Sequence, residues 1–114
     1  MKYGFLRVAV STPEIRVSDC KGNGEKIKDL IVDAYNNNAS VIVFPELVIT
    51  GYTCGDLFFQ NTLLKGAEDS LKDILVSTKD LDIISVIGIP VAYKNSLYNC
   101  VAVCLKGEIL AIVP

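Results

Sequence analysis

The chain contains no histidine, and its four cysteines (Cys20, Cys54, Cys100 and Cys104) include no C-x-x-C pair. The first absence removes the commonest zinc ligand and the commonest general base. No metal centre is expected, and the cysteine pattern fits a reduced, cytoplasmic compartment. There is no basic block either. Eleven Lys and Arg stand against thirteen Asp and Glu, a net charge of -2. A nucleic-acid partner would want a clustered positive footprint, so none is expected. Nor is there an uninterrupted apolar run of the roughly 20 residues that a membrane helix needs. The most apolar stretches, 83–92 and 97–113, are broken by Gly88 and Pro90 and by Lys106 and Glu108. Arg7 lies inside the first apolar run and no small-residue cleavage signal follows, which argues against a secretory peptide.

What the chain has is apolar surface in a small length. Of 114 residues, 51% are hydrophobic, and the mean hydropathy is +0.41. That is enough chain for one domain. So apolar a composition implies strands covered on both faces, or a face that further protein covers. Self-association of this stretch taken alone is an expected consequence of such a face, and a homo-oligomer is expected of the protein.

Residues 5–11 read as a first strand, ended by Thr12-Pro13. Ser18 or Asp19 is a candidate N-cap for a helix on which Ile27, Leu30, Ile31 and Ala34 share one face. The run Asn36-Asn37-Asn38 ends it and leads into a second strand over 40–44. A second helix is predicted from about Asp56 to about Ser77 on a stripe containing Leu63, Leu64, Ala67, Leu71, Ile74 and Leu75. A third strand is predicted over 83–91. Residues 97–105 and 108–113 read as a hairpin turned at Lys106-Gly107. The predicted order is β-α-β-α-β-β-β, an α/β unit with a meander at its end. Because the chain stops at Pro114 directly after an apolar strand, it is expected to be the front part of a longer domain.

Glu46 interrupts the apolar run Val41 to Ile49 just after Pro45 ends the second strand. A carboxylate there is costly to desolvate unless it is paired or used, and strand ends are where open α/β sheets place ligand chemistry. A helix N-cap or a salt-bridged loop carboxylate would also account for it. Thr50-Gly51 suggests a tight loop, with Gly51 free to take positive φ. Cys54, eight positions after Glu46, invites a reading as nucleophile. A small buried hydrophobe is the favoured reading, and Cys54 is not expected to be the nucleophile. Cys100 and Cys104, four apart in a strand, should face the same side and pack in the core, and Cys20 should be a surface or helix-start residue.

The run Phe44-Pro45-Glu46-Leu47-Val48-Ile49-Thr50-Gly51-Tyr52-Thr53-Cys54-Gly55 resembles the motif of the nitrilase superfamily of carbon–nitrogen hydrolases. Its continuation, Asp56-Leu57-Phe58-Phe59-Gln60, and the later Leu97-Tyr98-Asn99 are most similar to the N-terminal glutaminase domain of glutamine-dependent NAD synthetases. The resemblance implies an α-β-β-α sandwich, of which residues 1–114 would be the first part. It implies a Glu-Lys-Cys site in which Glu46 is the general base for a cysteine thiol, and a glutamine pocket that includes Tyr52. For Tyr52, an ordinary half-buried loop tyrosine remains the alternative. In such enzymes a lysine stabilises the oxyanion and the released ammonia passes to a C-terminal synthetase domain that uses ATP and Mg2+. The lysine is expected directly after Pro114 and the cysteine further on, so this chain alone is expected to be inactive and to hold no cofactor. A stand-alone nitrilase-family amidase and a non-catalytic α/β interaction module are the other readings.

Overall fold

A computed structural model describes residues 6–17, 19–51, 61–94 and 96–114. Within them the chain runs β1 (Val8–Val10), α1 (Cys20–Asn36), β2 (Val41–Val43), α2 (Asn61–Ser77), β3 (Ile84–Tyr93), β4 (Ser96–Leu105) and β5 (Glu108–Val113). The order is the predicted one. Residues 56–60 of the second predicted helix, and Phe5 of the first strand, lie outside the described residues.

Each element forms for a local reason. Asp19 caps α1, its Oδ1 accepting from the Gly22 amide at 3.1 Å. The helix ends through two reverse hydrogen bonds, Ala39 N to Ala34 O and Asn38 N to Tyr35 O, both 3.0 Å. Asn38 supplies the left-handed residue that this closure requires, at φ 65°. The apolar stripe of α1 is buried as its spacing predicts, with Ile27 and Ile31 fully inaccessible. Helix α2 buries Leu63, Ala67, Leu71 and Ile74 in the same way. At the hairpin, Lys106 and Gly107 both have positive φ (49° and 81°), the geometry whose twist matches two antiparallel strands.

The five strands form one mixed sheet in sequence order. Strands β1, β2 and β3 are parallel, joined by the two helical crossovers, and β3, β4 and β5 are antiparallel. The helices pack together: the Ser70 hydroxyl of α2 donates to Cys20 O of α1 at 2.8 Å, and Lys28 of α1 meets Asp73 of α2 at 2.8 Å. The core lies between this helical layer and one sheet face, where Ile42, Ile87, Ile89, Ala102 and Cys104 project toward α1 and α2. The chain is therefore α/β, a helix layer on a mixed sheet.

The alternate residues form the other face, and they are also apolar. Across the sheet, Val10, Val43, Val86, Val103 and Ala111 lie in one row by register. Val10 is 77% exposed, and every residue of β5 is exposed. The high hydropathy of the chain thus has a structural location: one sheet face is core, and its opposite face, apart from the region of Gly88 and Pro90, is an apolar surface without a covering layer.

Cys100 and Cys104 are both buried. Cys20 is the first residue of α1, but it is buried against α2 rather than lying on the surface, because the helices approach closely at that end. Burial strips water from the thiolate and pushes the Cys104 thiol up to about 11, and raises that of Cys100 as well. A raised folded-state value means that the contribution of Cys104 to stability is complete below its ordinary value of 9.0. It is lost as pH climbs toward and through about 11. Cys104→Ser, whose hydroxyl does not titrate in this range, should show a shallower alkaline loss of stability in denaturant titrations between those pH values. In the native wild type, iodoacetamide at pH 8 should leave Cys104 unmodified, and equal labelling of native and unfolded protein would contradict its burial.

Candidate active-site loop

The loop after β2 is built from its backbone outward. The Phe44 amide extends the ladder by donating to Val86 O at 3.0 Å, and the Phe44 side chain is buried toward the helices. Pro45 then takes the chain off the sheet, since it has no N–H to continue the ladder. Leu47 adopts φ 52°, uncommon for a residue with a bulky side chain. The turn is closed by Gly51 N to Leu47 O at 2.7 Å and Thr50 N to Leu47 O at 3.2 Å. Val48, Ile49 and Thr50 are fully buried. Gly51 has φ 88°, as the tight-loop reading expects. Glu46 is thus the exposed point of a loop whose following residues are locked into the core.

Three residues that the sequence reading did not single out as positioning groups hold this loop. Gly88 of β3 lies directly beneath it. A Cβ there would sit 2.6 Å from Pro45 O and 2.8 Å from Glu46 C, and would also collide with Leu47 N. Asn23 of α1 is 1% exposed and uses its whole amide. Its Nδ2 donates to Ile49 O at 2.7 Å and to Arg16 O at 2.8 Å, and its Oδ1 accepts from Arg16 N at 2.9 Å. It ties the loop to α1 and to the segment before that helix. Asn99 of β4 donates from Nδ2 to Glu46 Oε2 at 3.1 Å.

A glycine inside an apolar strand was a readable signal of close backbone approach. So was an asparagine in the apolar strand that became β4. The pairing of β3 with β4, which gives both their meaning, was not. Asn23 left no periodic signal, because its role is set by carbonyls far away in sequence.

Asn23→Leu should lower unfolding free energy by about 2 to 4 kcal/mol, because the buried Ile49 carbonyl and the part-buried N–H and C=O of Arg16 would lose their partner. Chemical denaturation measures this, and a change near zero would show that the three bonds are dispensable.

The Glu46 carboxylate is exposed rather than enclosed by the apolar residues that follow it, because Val48 and Ile49 turn inward while Glu46 projects from the loop. The two ordinary explanations for it are not met. No described helix begins at Glu46, and among the described residues no Lys or Arg pairs with it. Lys106 lies in the predicted hairpin turn, and Lys94 lies in a turn as well. Tyr52 and Cys54 lie outside the described residues. Among the described residues no group of three or more Cys, Asp or Glu could hold a metal ion, and no helix is long and apolar enough to cross a membrane.

The arrangement can present one exposed carboxylate at a fixed point above the sheet, beside the carboxyl end of a parallel strand. That position suits proton transfer to or from a group brought to it.

This chain is similar to the glutamine-dependent NAD(+) synthetase of Mycobacterium tuberculosis, with 33% identity over 113 residues. That match covers 99% of this chain and 17% of the relative, so the chain spans about a sixth of the length of the curated relatives it matches. In structure it is similar to a glutamine-dependent NAD(+) synthetase from Cytophaga hutchinsonii, with a TM-score of 0.87 and 30% identity over 94% of this chain and 18% of that one. The fold recurs, at 24% identity and a TM-score of 0.79, in the glutamine-dependent NAD+ synthetase of Acinetobacter baumannii, solved in complex with ADP. That match covers 94% of this chain and 20% of that one. The carbon-nitrogen hydrolase family model matches residues 7–112, an interval running from just before β1 to the last residues of β5, and the chain belongs to that family.

Proposed function

We propose that this chain is the N-terminal part of the glutamine-hydrolysing domain of a glutamine-dependent NAD(+) synthetase, and that Glu46 is its general base. The observation that carries the reading is the seat of Glu46. An exposed carboxylate is held on a rigid loop at the end of β2, in a chain nearly all of which aligns with synthetases of that name. In this reading Glu46 takes the proton from a cysteine thiol supplied by a later part of the protein. The thiolate attacks the side-chain carbonyl of glutamine, and a lysine stabilises the tetrahedral oxyanion. The adduct collapses to a thioester as Glu46 returns the proton to the amide nitrogen, which leaves as ammonia, and water then hydrolyses the thioester to glutamate and the free thiol. A neutral thiol is a weak nucleophile, so the adjacent base is what makes the attack possible. Tyr52 lines the glutamine pocket.

Ammonia then serves a C-terminal synthetase domain of the same chain, which converts nicotinic acid adenine dinucleotide to NAD. ATP and Mg2+ belong to that domain. The present residues do not fit them: the sequence has no glycine-rich phosphate loop, and the described residues bring together no cluster of three acidic or thiol ligands. The enzyme is cytoplasmic, and the apolar face opposite the helices is covered by further protein of the same domain, completing the α-β-β-α sandwich. We place the assembly as a homo-oligomer.

The test is Glu46→Gln in the full-length protein, assayed for NAD synthesis with glutamine and, separately, with free ammonia. Selective loss of the glutamine-dependent reaction supports the reading, and equal loss of both overturns it. Glutamine hydrolysis with no NAD synthesis in the wild type would favour a stand-alone amidase.

A further inference from the structure

We propose that Asn99 is a positioning residue for Glu46, holding its carboxylate in one orientation for proton transfer. The inference rests on the proposed role of Glu46 and adds to it a residue 53 positions away in the sequence. A carboxylate can only accept hydrogen bonds when ionised, so the amide nitrogen of Asn99 must be the atom that faces it. The contact is 3.1 Å, from Nδ2 to Oε2. Oε1 has no hydrogen-bond partner among the described residues, so the contact fixes one oxygen and leaves the other to receive a proton.

The placement follows from the register of β3 with β4. Asn99 stands opposite Pro90, and Gly88 stands opposite Val101, the next residue of β4 on the same face as Asn99. Gly88 lets the backbone of residues 45–47 rest on β3, and Asn99 catches the end of the Glu46 side chain from β4. One antiparallel strand pair therefore sets both the height of the loop and the aim of its carboxylate. A glutamate has three side-chain torsions between backbone and carboxylate, and an exposed one ordinarily samples several rotamers. Both residues are exposed, so water could satisfy either one alone. The bond therefore does little for folding, and what it supplies is orientation.

The experiment uses the full-length protein with Asn99→Ala and Asn99→Asp. Both variants should unfold at the wild-type midpoint and retain ammonia-dependent NAD synthesis. Asn99→Ala should lower kcat of the glutamine-dependent reaction about 10- to 100-fold with KM for glutamine changed less than about twofold. Asn99→Asp preserves shape but replaces the donor with a like charge, and should be at least as impaired as Asn99→Ala. A packing role would give the reverse order, with the isosteric Asp the milder change. Wild-type kcat in both variants, or a loss confined to stability, overturns the inference while leaving Glu46 as base untouched. Failure of the Glu46→Gln test instead removes the reading on which it rests.

Discussion

Glu46→Gln is expected to reduce glutamine-dependent NAD synthesis by about 10²- to 10⁴-fold, the usual contribution of a positioned general base. Synthesis from free ammonia should continue at the wild-type rate. The substitution is nearly isosteric, and glutamine retains a side-chain oxygen that can accept from Asn99 Nδ2. It also leaves the backbone of the loop alone, where Gly51 N to Leu47 O at 2.7 Å and the buried Ile49 maintain the fold. Only the ability to accept a proton is removed. The two assays therefore separate chemistry from architecture: a structural Glu46 would injure both activities, or neither. Thermal unfolding of the variant should match that of the wild type within the small range typical of surface substitutions.

The second large effect is expected from a residue with no chemistry of its own. Gly88→Ala should lower stability by about 2 to 3 kcal/mol, through overpacking, and should cost about 100-fold in glutamine-dependent activity, through displacement of Glu46. The new methyl group would meet backbone atoms of Pro45, Glu46 and Leu47, not the ends of flexible side chains. The loop cannot move aside freely. Ile49 O is held by Asn23, Val48 and Ile49 are fully buried, and Leu47 already occupies a left-handed conformation. Denaturant titration and the glutamine assay measure the two effects in the same protein. An alanine variant with wild-type stability would show that the loop does not rest on β3. One that loses stability but keeps full glutamine activity would show that Glu46 tolerates displacement.

These two residues were unequally legible before the fold was known. Glu46 stood out because a charge after Pro45 breaks an apolar run, and because its neighbours carry a family motif. Gly88 was read only as an interruption of an apolar stretch. Its meaning depends on which backbone crosses over it, and that segment lies some forty positions earlier. Asn99 is a similar case, noted as part of a motif but given its role by the pairing of β4 with β3 and by the direction of one side chain.

By itself, the sequence determined the element order and the helical stripes, because local periodicity and capping act over a few residues. Asp19 fixes a boundary through its capping side chain, and the Asn36-Asn37-Asn38 run and Lys106-Gly107 do so through residues that accept positive φ. The carbon–nitrogen hydrolase motif was equally legible, since it is contiguous from Phe44 to Gly55. Tertiary structure alone decided that Glu46 would be exposed, that Cys20 would be buried, and that Asn23, Gly88 and Asn99 would converge on one loop. It also decided that the uncovered apolar surface lies on the sheet face opposite the helices, beyond the part that the loop at 45–47 covers at Gly88. The physical reason is the same in each case. Burial and close approach are properties of pairs of segments, set by sheet register and layer packing, and no single stretch of sequence carries them.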